Sequence, residues 1–96
     1  MDVVLSDPAY SDLLHVHADL AAKSPQAADK AIRYFARRVD ELSRFPLIGR
    51  RRDELGAGLR GLLIGNWIAF YRVDAARIVI VRIIDARMDI DEDYFK

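Results

Sequence analysis

Cysteine is absent from all 96 residues, which removes both a disulfide framework and thiolate chemistry. Histidine occurs only twice, at His15 and His17. Residues two apart on a helix point in different directions, so this pair cannot hold one metal ion. Each reads as a surface or flank residue, and no metal or other cofactor is expected. Net charge is missing as well. Fifteen basic and fifteen acidic side chains cancel, leaving no global field towards nucleic acid or an anionic membrane. No apolar run approaches the roughly 20 residues that span a bilayer, and no basic-then-apolar leader opens the chain. The expected compartment is the cytoplasm, and no membrane partner is expected.

Apolar surface, by contrast, is abundant. Hydrophobic residues make up 52% of a chain with length for one core only. A domain of this size leaves roughly a third of its unfolded surface exposed. Such a chain either packs densely or hides surface against a partner.

Three candidate strands follow one another at residues 59–64, 67–73 and 77–84. Gly65-Asn66 joins the first two as a Gly-first, two-residue connection, the signal for a type II′ hairpin turn. Asp74-Ala75-Ala76 joins the last two, giving an antiparallel meander. The tight turn sets Ile64 opposite Trp67, Leu62 opposite Ala69 and Arg60 opposite Tyr71. A turn over 74–77 then sets Tyr71 opposite Ile80 and Ala69 opposite Arg82. Side chains alternate between faces along a strand. Leu59, Gly61, Leu63, Ile68, Phe70, Val79, Val81 and Ile83 therefore share one nearly apolar face, which is expected to take the helices. Leu62, Ile64, Trp67, Ala69, Val73, Ile80 and Ile84 lie on the other, crossed by Arg60, Tyr71 and Arg82. That face is expected to stand open, and a slip of one residue would exchange the two.

On the open face, Arg60, Tyr71 and Arg82 either meet a partner or lay their stems over neighbours with the polar ends in water, Arg82 pairing with the acidic tail. Trp67 and Leu62 on a face without helices point to a covering chain. Arg60, Leu62, Trp67, Tyr71 and Arg82 are thus the candidate binding residues. Their partner would be a helix in a groove or a strand added at the sheet edge.

Before the meander, Asp2–Leu5 reads as a strand, stopped by Ser6-Asp7-Pro8. A helix to about Ala22 follows, with Ala9, Leu13, Val16 and Leu20 as its stripe. Ser24 as cap and Pro25 in the first turn open a second helix to about Arg44. Its stripe is Ala28, Ile32, Phe35, Val39 and Leu42, and Phe45-Pro46 ends it. So short a link makes an antiparallel helical hairpin. Residues 47–58 read as a loop, and Arg50-Arg51-Arg52 as a solvated run, since Asp53-Glu54 follow at once. Residues 85–96 form either a short terminal helix or an ordered tail.

An ordered set of short stretches resembles the ParE toxins of the RelE/ParE superfamily, small proteins of bacterial toxin–antitoxin pairs. It runs through Leu5-Ser6, Ala9, Asp12-Leu13, Phe45-Pro46-Leu47-Ile48-Gly49-Arg50 and Asp53-Glu54-Leu55. It continues with Gly58-Leu59-Arg60, Phe70-Tyr71-Arg72-Val73-Asp74, Val81-Arg82-Ile83-Ile84 and Arg87-Met88-Asp89. The resemblance spans almost the whole chain, read as one domain over residues 1–96. It implies an α+β fold, a helical hairpin packed on one face of a four-stranded antiparallel sheet in the order β-α-α-β-β-β. The first strand would lie beside the last and the second at an edge.

The resemblance further implies a growth inhibitor held silent in a hetero-oligomer with a ParD-type antitoxin. Its implied target is DNA gyrase, whose cleaved-DNA state it would stabilise without chemistry of its own. The related RelE branch instead cuts mRNA on the ribosome. That reaction needs one group to take the 2′-OH proton and another to protonate the leaving oxygen. Arginine stays protonated and makes a poor base. Many relatives carry His just after the last strand, where this chain has Asp85. The expected reading is a non-enzymatic gyrase poison, with a RelE-like RNase or a degenerate toxin that only binds its antitoxin as alternatives.

Overall fold

Two serines decide where the helices begin. The Ser6 hydroxyl accepts the Ala9 N–H and the Ser24 hydroxyl accepts the Ala27 N–H, each with a proline in the turn behind it. Both caps satisfy donors that a helix start leaves without partners. In the computed structural model, which describes residues 1–96, α1 runs Asp7–Lys23 and α2 runs Pro25–Arg44. Ser24 also closes α1 by donating its N–H to the Leu20 carbonyl, so a single residue links the hairpin.

The strands are β1 (Asp2–Leu5), β2 (Arg50–Arg51), β3 (Arg60–Ile64), β4 (Trp67–Val73) and β5 (Arg77–Asp85), in the sheet order β1-β5-β4-β3-β2. The α+β class and the order of the four longer strands agree with expectation. The sheet itself is five-stranded and mixed, because β1 runs parallel to β5 and the two-residue β2 pairs with Arg60 and Gly61. Gly65, at φ 62, makes the β3–β4 turn, and the pairs Ile64–Trp67, Leu62–Ala69 and Arg60–Tyr71 form as the turn dictates.

The helices cover the face expected to stand open. Leu62, Ile64, Ala69, Tyr71, Ile78 and Ile80 are buried beneath them with Ala9 and Leu42. Trp67 packs into the same cluster with Leu13, Phe35 and Val39. Alternation alone could not choose, since both faces are apolar; the polar group that looked like a mark of solvent, the Tyr71 hydroxyl, is satisfied inside. A register shift at Phe70/Tyr71 adds a second difference. Tyr71 pairs with Ile80 as expected, but Phe70 pairs with Arg82 and Ala69 with Ile83. Val81 is the extra residue of a bulge, so Ile83 turns under the helices and Ile84 turns away.

The opposite face has its own smaller core of Leu55, Leu59, Phe70 and Ile84. The chain end supplies its cover. A 3-10 turn at Glu92–Phe95 sets the Phe95 ring edge-on to Phe70, with centroids 4.9 Å apart.

Candidate functional site

The five candidate binding residues are not brought together. Leu62 is buried beneath the helices and Tyr71 is wholly enclosed, so neither is a contact surface. The Tyr71 hydroxyl donates to the Pro46 carbonyl at 2.8 Å and accepts the Gly49 N–H at 2.8 Å. Burial pushes the phenol pKa up, against the pull of the Gly49 N–H. Arg60 points its guanidinium at the Leu47 and Gly49 carbonyls, at 3.3 and 2.9 Å. Both residues therefore brace the loop after α2. A methyl at Gly49 would stand 2.6 Å from the Tyr71 ring and hydroxyl and 3.0 Å from the Gly61 carbonyl. Gly49→Ala is expected to cost about 1–3 kcal/mol by overpacking, measured by urea denaturation; an unchanged midpoint would contradict the bracing.

Arg82 lies on the Phe70 side, next to the bulge. It grips Asp12 of α1 with two hydrogen bonds, 2.8 and 3.0 Å, and reaches the Tyr94 carbonyl at 3.2 Å. Asp12 also accepts the Ile83 N–H at 2.9 Å, beyond the point where β1 ends. One carboxylate thus replaces a missing strand neighbour and fixes α1 to the sheet. The hydrogen bonds to Asp12 raise the Arg82 pKa above its ordinary value.

Only Trp67 borders an accessible site. Where the helical hairpin overhangs the β3–β4 turn, an open groove of about 440 Å³ separates them. Val16 and Leu20 of α1, Ile32 and Phe35 of α2, and Ile64 and Trp67 of the hairpin give it apolar walls. Lys30 and Arg37 stand among its lining residues. Neither makes an ion pair, and the Arg37 guanidinium lies 5.5 Å over the ring of Tyr34 instead. The groove is therefore mainly apolar, with two unpaired cations among its lining residues. Sequence reasoning placed Ile32 in the core stripe and passed over Tyr34. The row Ala27, Ala31, Tyr34 beside that stripe, at steps of four and three, is the signal that the apolar side of α2 is wider than one sheet needs.

Arg87 donates to Asp85 through its side chain at 2.8 Å and through its own N–H at 2.9 Å, holding the carboxyl down to about 2. The sign follows: this pair's contribution is present above the ordinary value of 3.8 and is lost as pH falls through about 2. A carboxyl NMR titration is expected to show that midpoint, and Arg87→Ala to return it towards 3.8. No group of three or more His, Cys, Asp or Glu is placed to hold a metal ion. No helix is long and apolar enough to cross a membrane.

Comparison with known proteins adds three findings. Residues 3–90 match the family described as the ParE toxin of the type II toxin–antitoxin system parDE. Toxin ParE3 of Caulobacter vibrioides is 32% identical over 89 residues, covering 92% of this chain and 89% of that protein. A solved structure of a chromosomal ParDE system from P. aeruginosa superposes with a TM-score of 0.77 at 24% identity, covering 91% of this chain and 97% of that one. At that identity the likeness supports the fold.

Proposed function

Because the chain belongs to the ParE toxin family of type II toxin–antitoxin systems, we propose that it arrests growth by poisoning DNA gyrase and is silenced when a ParD-type antitoxin fills the groove beside Trp67. The observation that carries the antitoxin reading is the groove itself. It is open, apolar and bounded by two helices and a hairpin, which suits the apolar face of an amphipathic helix. Lys30 and Arg37 among its lining residues favour acidic side chains on the bound segment. The antitoxin is thus a covering chain, seated between hairpin and turn rather than across a bare sheet.

A non-enzymatic action is supported by how the polar groups are used. Arg60 and Arg82 are bound to carbonyls and to Asp12. The Tyr71 phenol is buried and neutral, and Asp85 is too weak a base to draw a proton from a 2′-OH. A gyrase target and an antitoxin partner would both be met in the cytoplasm, which is the compartment this reading takes. The test incubates purified toxin with gyrase and plasmid. Cleaved DNA is expected to accumulate, supercoiling to fall, and antitoxin to reverse both. Intact gyrase activity together with rapid mRNA loss in cells would instead establish the RNase; no growth defect from folded protein would establish a degenerate toxin.

A further inference from the structure

The loop that Tyr71 and Arg60 brace presents an apolar tip to solvent. Phe45, Leu47 and Ile48 are 58, 65 and 42% exposed. Three large hydrophobic side chains within four residues are far more than a connection requires. The backbone beneath them is held throughout. The Phe45 carbonyl accepts the Ile48 N–H at 3.0 Å, the Pro46 carbonyl accepts the Tyr71 hydroxyl, and the Leu47 and Gly49 carbonyls accept Arg60. Order of this kind removes the entropy that a flexible loop would lose on binding.

We propose that the turn 45–48, with Arg50 beside it, is a rigid plug that seats in an apolar pocket with a carboxylate rim on the folded protein this toxin attacks. The proposal rests on the toxin reading above and adds where the target is held. Shape selects the partner: a convex, preformed tip needs a concave receiver, whereas an antitoxin segment that folds on binding needs the groove. Charge selects the rim. Arg51 and Arg52 are neutralised by Asp53 and Glu54, but exposed Arg50 has no carboxylate partner and Arg60 meets only carbonyls. Position separates the two surfaces. Phe45 lies eight residues beyond Arg37, the last groove residue of α2, which is about 12 Å along a helix axis.

The test compares Leu47→Asp and Arg50→Glu with the unmodified chain. Growth arrest is read under graded expression in the bacterial cell, and affinity for the cognate ParD-type antitoxin by calorimetry. Both side chains are solvent-facing, so the melting temperature is expected to hold; Arg50→Glu carries the test if Leu47→Asp fails to fold. Each variant is expected to need at least ~10-fold more expression for arrest, the scale of a central interface residue, with antitoxin affinity within about twofold. Undiminished arrest by both variants overturns the plug. So does parallel loss of antitoxin affinity, which would make the tip part of the antitoxin's seat. An unmodified chain that arrests nothing overturns the toxin reading, and the plug with it.

Discussion

Replacing Phe70 with alanine is expected to lower stability by about 3–5 kcal/mol, the range for emptying a core of an aromatic ring. Phe70 has no exposed surface, although it points away from both helices. Leu55 and Leu59 from the loop, Ile84 from β5 and Phe95 from the chain end enclose it, and the Arg52 guanidinium sits 5.7 Å from its ring. Small domains have some 5–15 kcal/mol in total. The loss is therefore a large fraction, and a fall of at least ~12 °C in the melting temperature is expected. Calorimetry or denaturant unfolding measures it. A shift of only one or two degrees would mean that the face opposite the helices is a wet surface, and that the terminal turn is no part of the core.

Ile32→Glu is expected to weaken antitoxin binding by about 100-fold, or ~2.7 kcal/mol, while leaving stability within about 0.5 kcal/mol. Ile32 lines the groove and is 36% exposed on α2. Glutamate is a better helix former than isoleucine, so the helix tolerates it. On binding, however, an apolar helix face would have to press against a carboxylate that it cannot hydrogen-bond. Titration of the cognate antitoxin into the variant gives the affinity, and thermal melting gives the control. Unchanged affinity would remove the groove from the interface.

The local parts of this fold were legible in the sequence. Ser6, Ser24, Pro25 and Pro46 punctuate the helices through short-range hydrogen bonds and steric limits, and Gly65-Asn66 fixed the first hairpin register to the residue. What could not be read was non-local. Asp12 meets Arg82 and Ile83 from about 70 positions away, and no periodicity announces that a helical carboxylate will cap a strand. The bulge at Val81 exchanged the faces of Arg82 and Ile83 without any glycine to mark it. Face choice failed for a different reason. With apolar residues on both sides, Arg60, Tyr71 and Arg82 were the polar guides; the first two serve the loop after α2, and Arg82 lies on the other side of the sheet, bound to Asp12. Trp67 stands not on a bare sheet face but as one wall of a groove under the helical hairpin.

Trp67 is also the chain's single tryptophan and stands half-buried in that groove, so its fluorescence reports directly on whether the groove is filled. On saturation with an antitoxin lacking tryptophan, the emission should move to shorter wavelength and acrylamide quenching should fall several-fold. A saturated complex whose emission and quenching match those of the isolated chain would show the antitoxin bound elsewhere.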